Sequence, residues 1–167
     1  MAAGEAGRLV AALVERGETV ASAESLTAGL FAATIADVPG ASAVLRGGFI
    51  VYATDLKASL AGVPSVELER NGPVHPDTAR ALADGARVRC GADWGVGLTG
   101  VAGPTDQDGV PVGTVYLGIS GPDGDHVTSL RLDGDRAAIR QGAAGSALRE
   151  LTARVSANRE PSRPAPR

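Results

Sequence analysis

Sixteen residues of this 167-residue chain are Lys or Arg, and a single one of them, Lys57, is lysine. A sequence that uses arginine wherever it needs a cation has kept one cation that can lose its proton near neutral pH when desolvated, as guanidinium cannot. Ser25 is the partner such a lysine could serve. It stands in Glu24-Ser25-Leu26-Thr27-Ala28-Gly29, where a short β-rich stretch gives way to small and apolar residues that predict a helix over 26–36. A helix start offers free N–H groups and a dipole that favours negative charge. A serine there is ordinarily an N-cap. It is alternatively a nucleophile whose oxyanion the neighbouring amides stabilise and whose proton a buried lysine accepts, the Ser-Lys form of the triad. Tyr52, five residues before Lys57 at a strand end, could hydrogen-bond in the same site.

Other motifs are weaker. Gly95-Val96-Gly97-Leu98-Thr99-Gly100 matches the dinucleotide fingerprint, but its glycines lie inside an alternating strand and a loop follows instead of a helix, so no such site is expected. His75, His126 and Cys90 share no metal-ligand spacing, and neither a metal nor a cofactor is expected. His75 precedes Pro76 and suits a helix cap, and His126 sits in a hairpin. The small-residue turn over 99–104, including Thr99, Gly100 and Gly103, could offer N–H groups to an anion. Arg136 and Arg140, one helical turn apart, would repel unless an anion or a nearby carboxylate neutralised them, and a phosphate would serve.

The elements that position these residues follow from periodicity and punctuation. Leu9, Val10, Leu13 and Val14 mark a first helix ending at Gly17, and strands are expected over 19–23 and 44–52, the second broken by Gly47-Gly48. Asp55 is expected to cap a short helix, with another helical turn over 66–70 and a long helix from Pro76 to Cys90. A strand over 94–99, a hairpin turning at Pro122-Asp123 and a last helix capped by Asp135 complete the series. This predicts one three-layer α/β/α domain over 1–157 around a mixed, mostly parallel sheet, followed by a disordered tail over 158–167.

Composition narrows the class. Hydrophobic residues are 44% and aromatic residues 3%, so the core must be Val, Leu, Ile and Ala packed against close backbone. Net charge is −3; the last ten residues carry +2 of local charge, leaving −5 on the body with no basic stripe, which argues against nucleic acid. No apolar run spans a membrane, no secretory signal is visible, and one cysteine suits a reducing cytoplasm.

Taken in order, Ala23-Glu24-Ser25-Leu26-Thr27-Ala28-Gly29, the stretch 48–57, Thr99 to Pro104, Pro111-Val112-Gly113-Thr114-Val115 and Gly134-Asp135-Arg136 resemble the CinA C-terminal domain family, which includes stand-alone nicotinamide-nucleotide amidohydrolases. The resemblance covers about 5–155. It implies hydrolysis of the carboxamide of nicotinamide mononucleotide (NMN) without metal or other cofactor, with Ser25 as nucleophile and Lys57 as base. Tyr52, Thr99 and Arg140 fall on positions tied to activity or substrate binding, and family analogy implies a dimer. On this reading the amides from Ser25 through Thr27 to Gly29 face the oxyanion, while the 99–103 turn with Arg136 and Arg140 holds phosphate or ribose. The sequence departs from the family pattern at Ala28, usually glycine, at Leu26, often cysteine, at His75, often serine, and over 105–109, where a glycine run is common. Two alternatives stand beside this one: a non-catalytic nucleotide- or protein-binding module, and an amidase for another small carboxamide.

Overall fold

Among the described residues, small and β-branched residues build five strands that form one mixed sheet. The computed structural model describes residues 2–158. Its elements are α1 (Ala2–Arg16), β1 (Val20–Glu24), α2 (Leu30–Ala36), β2 (Leu45–Ile50), α3 (Thr54–Ser59), α4 (Ser65–Asn71), α5 (Pro76–Cys90), β3 (Trp94–Gly100), β4 (Thr114–Gly121), β5 (Gly124–Arg131) and α6 (Arg136–Ala157). The α/β/α expectation holds: β1 lies between β2 and β3 with both pairings parallel, and β4 and β5 extend the sheet antiparallel. The tail expectation falls on 159–167, outside the described residues, apart from Asn158. Among the described residues no helix is long and apolar enough to cross a membrane.

Two apolar layers sandwich the sheet. On one side Leu9, Leu13, Phe31, Ile35, Leu148 and Leu151 from α1, α2 and α6 bury against Trp94, Val96, Leu98, Leu117 and Ile119. On the other, Leu82 and Ala86 of α5 meet Ala21, Ala23, Val51, Ala61 and Val63. With so few aromatics this second layer depends on proximity, and the glycines of the false dinucleotide fingerprint supply it. A Cβ on Gly95 would stand 2.0 Å from the Ala83 carbonyl oxygen, and one on Gly97 2.4 Å from that of Ala79. Gly118, opposite Gly97 across the β3–β4 pairing, is equally hemmed in by Ala79. These glycines let α5 lie directly on the strands. Gly97→Ala is therefore expected to destabilise by about 3 kcal/mol, the upper end for overpacking because the obstacle is backbone. A melting curve should fall by roughly 10 °C, and an unchanged midpoint would contradict this account of the helix–sheet spacing.

Local departures from expectation have simple causes. Helix α2 begins at Leu30 instead of residue 26, because residues 25–29 form a turn in which Ala28 and Gly29 take positive φ angles of 48° and 94°. Asp55 does not cap α3; Ala53 holds the N-cap position and Asp55 lies in the first turn. The β2 irregularity anticipated at Gly47-Gly48 is a register shift past Arg46, and a Cβ on Gly48 would meet the Ser22 carbonyl oxygen at 2.5 Å. The other two expected caps form, with His75 Nδ1 accepting from the Asp77 N–H and Asp135 Oδ1 from that of Ala138.

Candidate active site

In open α/β sheets ligands bind beyond the carboxyl ends of parallel strands, at the point where chain connections leave in opposite directions. Here that point is the end of β1, whose neighbours β2 and β3 lie on either side. Ser25 follows the last residue of β1, Val51 and Tyr52 follow β2, and Thr99 and Gly100 close β3. A pocket of about 260 Å³ opens there, its wall including Ser25, Leu26, Tyr52, Lys57, Thr99 and Arg136.

Lys57 is carried into this pocket by α3, a helix just long enough to turn it back onto the end of β2. It is 1% exposed. Its Nζ lies 3.1 Å from Ser25 Oγ, 2.8 Å from the Val51 carbonyl oxygen and 3.4 Å from that of Tyr52. No carboxylate pairs with it among the described residues. Burial without a counter-charge disfavours the ammonium and lowers the pKa from 10.5 to about 8. The neutral amine fits this surrounding well. Its two protons can go to the two carbonyls, which leaves the lone pair for the Ser25 hydroxyl proton.

The structure gathers Ser25, Lys57, Tyr52, Thr99, Gly100, Gly103 and Arg136 around one pocket and leaves Thr27, Gly29 and Arg140 out of its lining. Tyr52 Oη accepts from Arg136 Nη2 at 2.5 Å, and Arg136 Nη1 donates to the Gly103 carbonyl at 2.5 Å. Thr99 Oγ1 donates to the Pro73 carbonyl at 2.5 Å, fixing the buried threonine side chain. Arg140 does not reach the pocket. Its Nε and Nη2 donate to the carbonyls of Leu26 and Thr27 at 2.8 and 3.0 Å, so it braces the serine turn from behind. Thr27 is fully buried and off the pocket wall, its Oγ1 without a partner among the described residues. The Gly29 N–H, expected to face substrate, instead donates to Glu24 Oε2 at 3.1 Å.

Glu24 is the residue that sequence reading passed over. It is 1% exposed and accepts from Ser22 Oγ and from the N–H groups of Gly29, Phe31 and Ala32. The signal was present: a carboxylate ending the otherwise small and apolar strand Val20–Glu24, directly before the serine. Thr105, Asp106 and Gln107, in the loop that departs from the family pattern, also line the pocket, and Asp106 Oδ1 accepts from the Val112 N–H at 2.8 Å. Ala28 does not line it, so its methyl acts through backbone conformation instead of by crowding the ligand. A non-glycine residue in the left-handed region costs about 1–2 kcal/mol. Ala28→Gly should raise stability by about 1 kcal/mol once glycine's greater freedom in the unfolded chain is set against that strain, read as a small upward shift in thermal midpoint; a fall would mean that the turn is relaxed as it stands.

Among the described residues no group of three His, Cys, Asp or Glu is arranged to hold a metal ion. His126 Nε2 instead sits 3.2 Å from Asp123 Oδ2 in the hairpin, away from the pocket.

Comparison with known proteins decides the lineage. The CinA C-terminal domain family matches residues 4–155. The chain belongs to that family. A CinA-like protein from Frankia casuarinae is 51% identical over 142 residues, 85% of this chain and 33% of the relative. One from Anaeromyxobacter sp. is 47% identical over 144 residues, covering 86% and 35%. The chain thus spans about a third of the length of the curated relatives it matches. Among solved structures, the competence/damage inducible protein CihA from Agrobacterium tumefaciens is 34% identical with a TM-score of 0.87, covering 91% of this chain and 94% of that one. The CinA superfamily protein KP700603 from Klebsiella pneumoniae is 25% identical with a TM-score of 0.91, covering 94% and 99%. The CinA-type fold thus carries the Ser25 and Lys57 pocket described above.

Proposed function

We propose that this CinA-family chain is an amidohydrolase that converts NMN to nicotinate mononucleotide and ammonia. The observation that carries the reading is the buried Lys57 amine 3.1 Å from Ser25 Oγ on a pocket wall. Neutral Lys57 takes the Ser25 proton as Oγ attacks the carboxamide carbon, and the carbonyl oxygen becomes an oxyanion. Collapse breaks the C–N bond, Lys57 returns the proton to the departing ammonia, and a nicotinoyl ester remains on Ser25. Water, deprotonated by Lys57, then cleaves the ester and frees the carboxylate and the serine. The pocket is at the small end for ligand sites. It suits the pyridine carboxamide, while ribose and phosphate extend toward Arg136 and the 99–107 rim. The substrate identity comes from the family resemblance, and the serine–lysine chemistry from the geometry.

The test is ammonia release from NMN by the purified chain with chelator present, beside Ser25→Ala and Lys57→Ala. Wild type alone should release ammonia. A folded wild-type protein that releases none from NMN would overturn the proposed substrate, and equal release by either variant would overturn the assigned chemistry.

A further inference from the structure

Resting on the reading of Ser25 as nucleophile, an inventory of N–H groups around it points further. The Ser25 N–H donates to the Leu98 carbonyl at 2.9 Å and is spent on holding the serine to β3. The Ala28 N–H goes to the Ser25 carbonyl and that of Leu30 to the Thr27 carbonyl, both at 3.0 Å. Those of Gly29, Phe31 and Ala32 all go to the Glu24 carboxylate at 3.0–3.1 Å. From Ser25 to Ala32 only the N–H groups of Leu26 and Thr27 have no protein acceptor among the described residues. Leu26 lines the pocket. The orientation of both is fixed from the opposite side, because the N–H and C=O of a peptide point in opposite directions. The Ser25 carbonyl is held by Ala28, which sets the Leu26 N–H, and the Leu26 carbonyl is held by Arg140, which sets that of Thr27.

We infer that Glu24 is a positioning residue for the nucleophile turn: it draws the Gly29, Phe31 and Ala32 N–H groups onto itself and reserves that of Leu26, the one of the two that lines the pocket, for the oxyanion. The residue after a nucleophile is a geometrically natural donor, since its N–H lies beside the attacking oxygen. A carboxylate suits the anchoring role because its two oxygens accept several bonds and donate none. In Glu24→Gln one oxygen becomes an NH₂ group facing N–H donors, and the turn loses one of its two accepting oxygens without a change in side-chain size.

The first measurement needs no variant. Pyridine-3-boronic acid, whose boron can take up a serine oxygen as a tetrahedral anion, is added to ¹⁵N-labelled wild-type protein. The Leu26 amide proton should move downfield while those of Gly29, Phe31 and Ala32 stay. A Ser25 adduct that instead moves Gly29, or the Ala102 and Gly103 amides across the pocket, overturns this inference and leaves the nucleophile intact. No adduct at Ser25 takes the nucleophile reading down as well. In Glu24→Gln, kcat should fall about a hundredfold, the loss typical of a missing oxyanion donor. KM should stay within about twofold, since ground-state contacts are untouched, and the rate midpoint near pH 8 should not move, since Glu24 does not contact Lys57. A Glu24→Gln protein with wild-type kcat overturns the positioning role. If that variant fails to fold, the boronate shifts of the wild type still decide which amides serve.

Discussion

Lys57→Ala and Ser25→Ala should each lower kcat on NMN by roughly 10⁴-fold or more, and the double variant should fall little further, because a nucleophile and its base act as one unit. Lys57→Arg should be as inactive as Lys57→Ala. It keeps the positive charge, which would suffice if Lys57 only attracted an anionic substrate, but guanidinium cannot take up the serine proton. The pH profile gives the sign independently. With a pKa of about 8, roughly a tenth of Lys57 is neutral at pH 7. Wild-type kcat/KM should therefore climb with pH and level off above about 8. A rate that is flat or falling between pH 6 and 8, or an active Lys57→Arg, would remove Lys57 from the base role.

The chemistry was legible where a residue type was rare and its place unambiguous. Lys57 stood out as the one deprotonatable cation, and Ser25 as a hydroxyl at a strand's end; their contact across 32 residues needed only that α3 fold back beside β1. Element types were legible for the same reason, since Gly17, His75-Pro76 and Asp135 mark helix ends by backbone chemistry that tertiary packing does not overrule. What escaped was direction. Arg136 and Arg140 share one helix face in sequence, yet one faces the pocket and the other grips the Leu26 and Thr27 carbonyls behind it. Spacing along a helix fixes the face, not what lies against each turn of it. Glu24 escaped because acidic residues at strand ends are usually solvated. Its capture of three N–H groups arises only once residues 25–29 form a turn instead of the expected helix.

The buried amine that makes the site reactive also weighs on the fold, and Lys57→Met should expose this by reversing its effect with pH. In the folded protein Lys57 titrates near 8, and the unfolded value is 10.5. Between those values the unfolded chain holds a proton that the folded chain has given up, so stability rises with pH across that window. At 1.36 kcal/mol per unit, the protonated lysine disfavours the native state by about 3 kcal/mol at pH 7, and the penalty fades by about pH 10.5. Methionine matches the length without the charge, but it leaves the Val51 and Tyr52 carbonyls without their donor. That loss is about 1–2 kcal/mol at any pH. At pH 7 Lys57→Met should therefore be more stable than wild type by about 1–2 kcal/mol, a rise of a few degrees in thermal midpoint. Near pH 10.5 the same substitution should be destabilising by a similar amount. Urea unfolding of both proteins at the two pH values measures the difference directly. A stability difference that does not change with pH would mean that the fold carries no buried charge at Lys57, and the neutral base poised beside Ser25 would lose its physical origin.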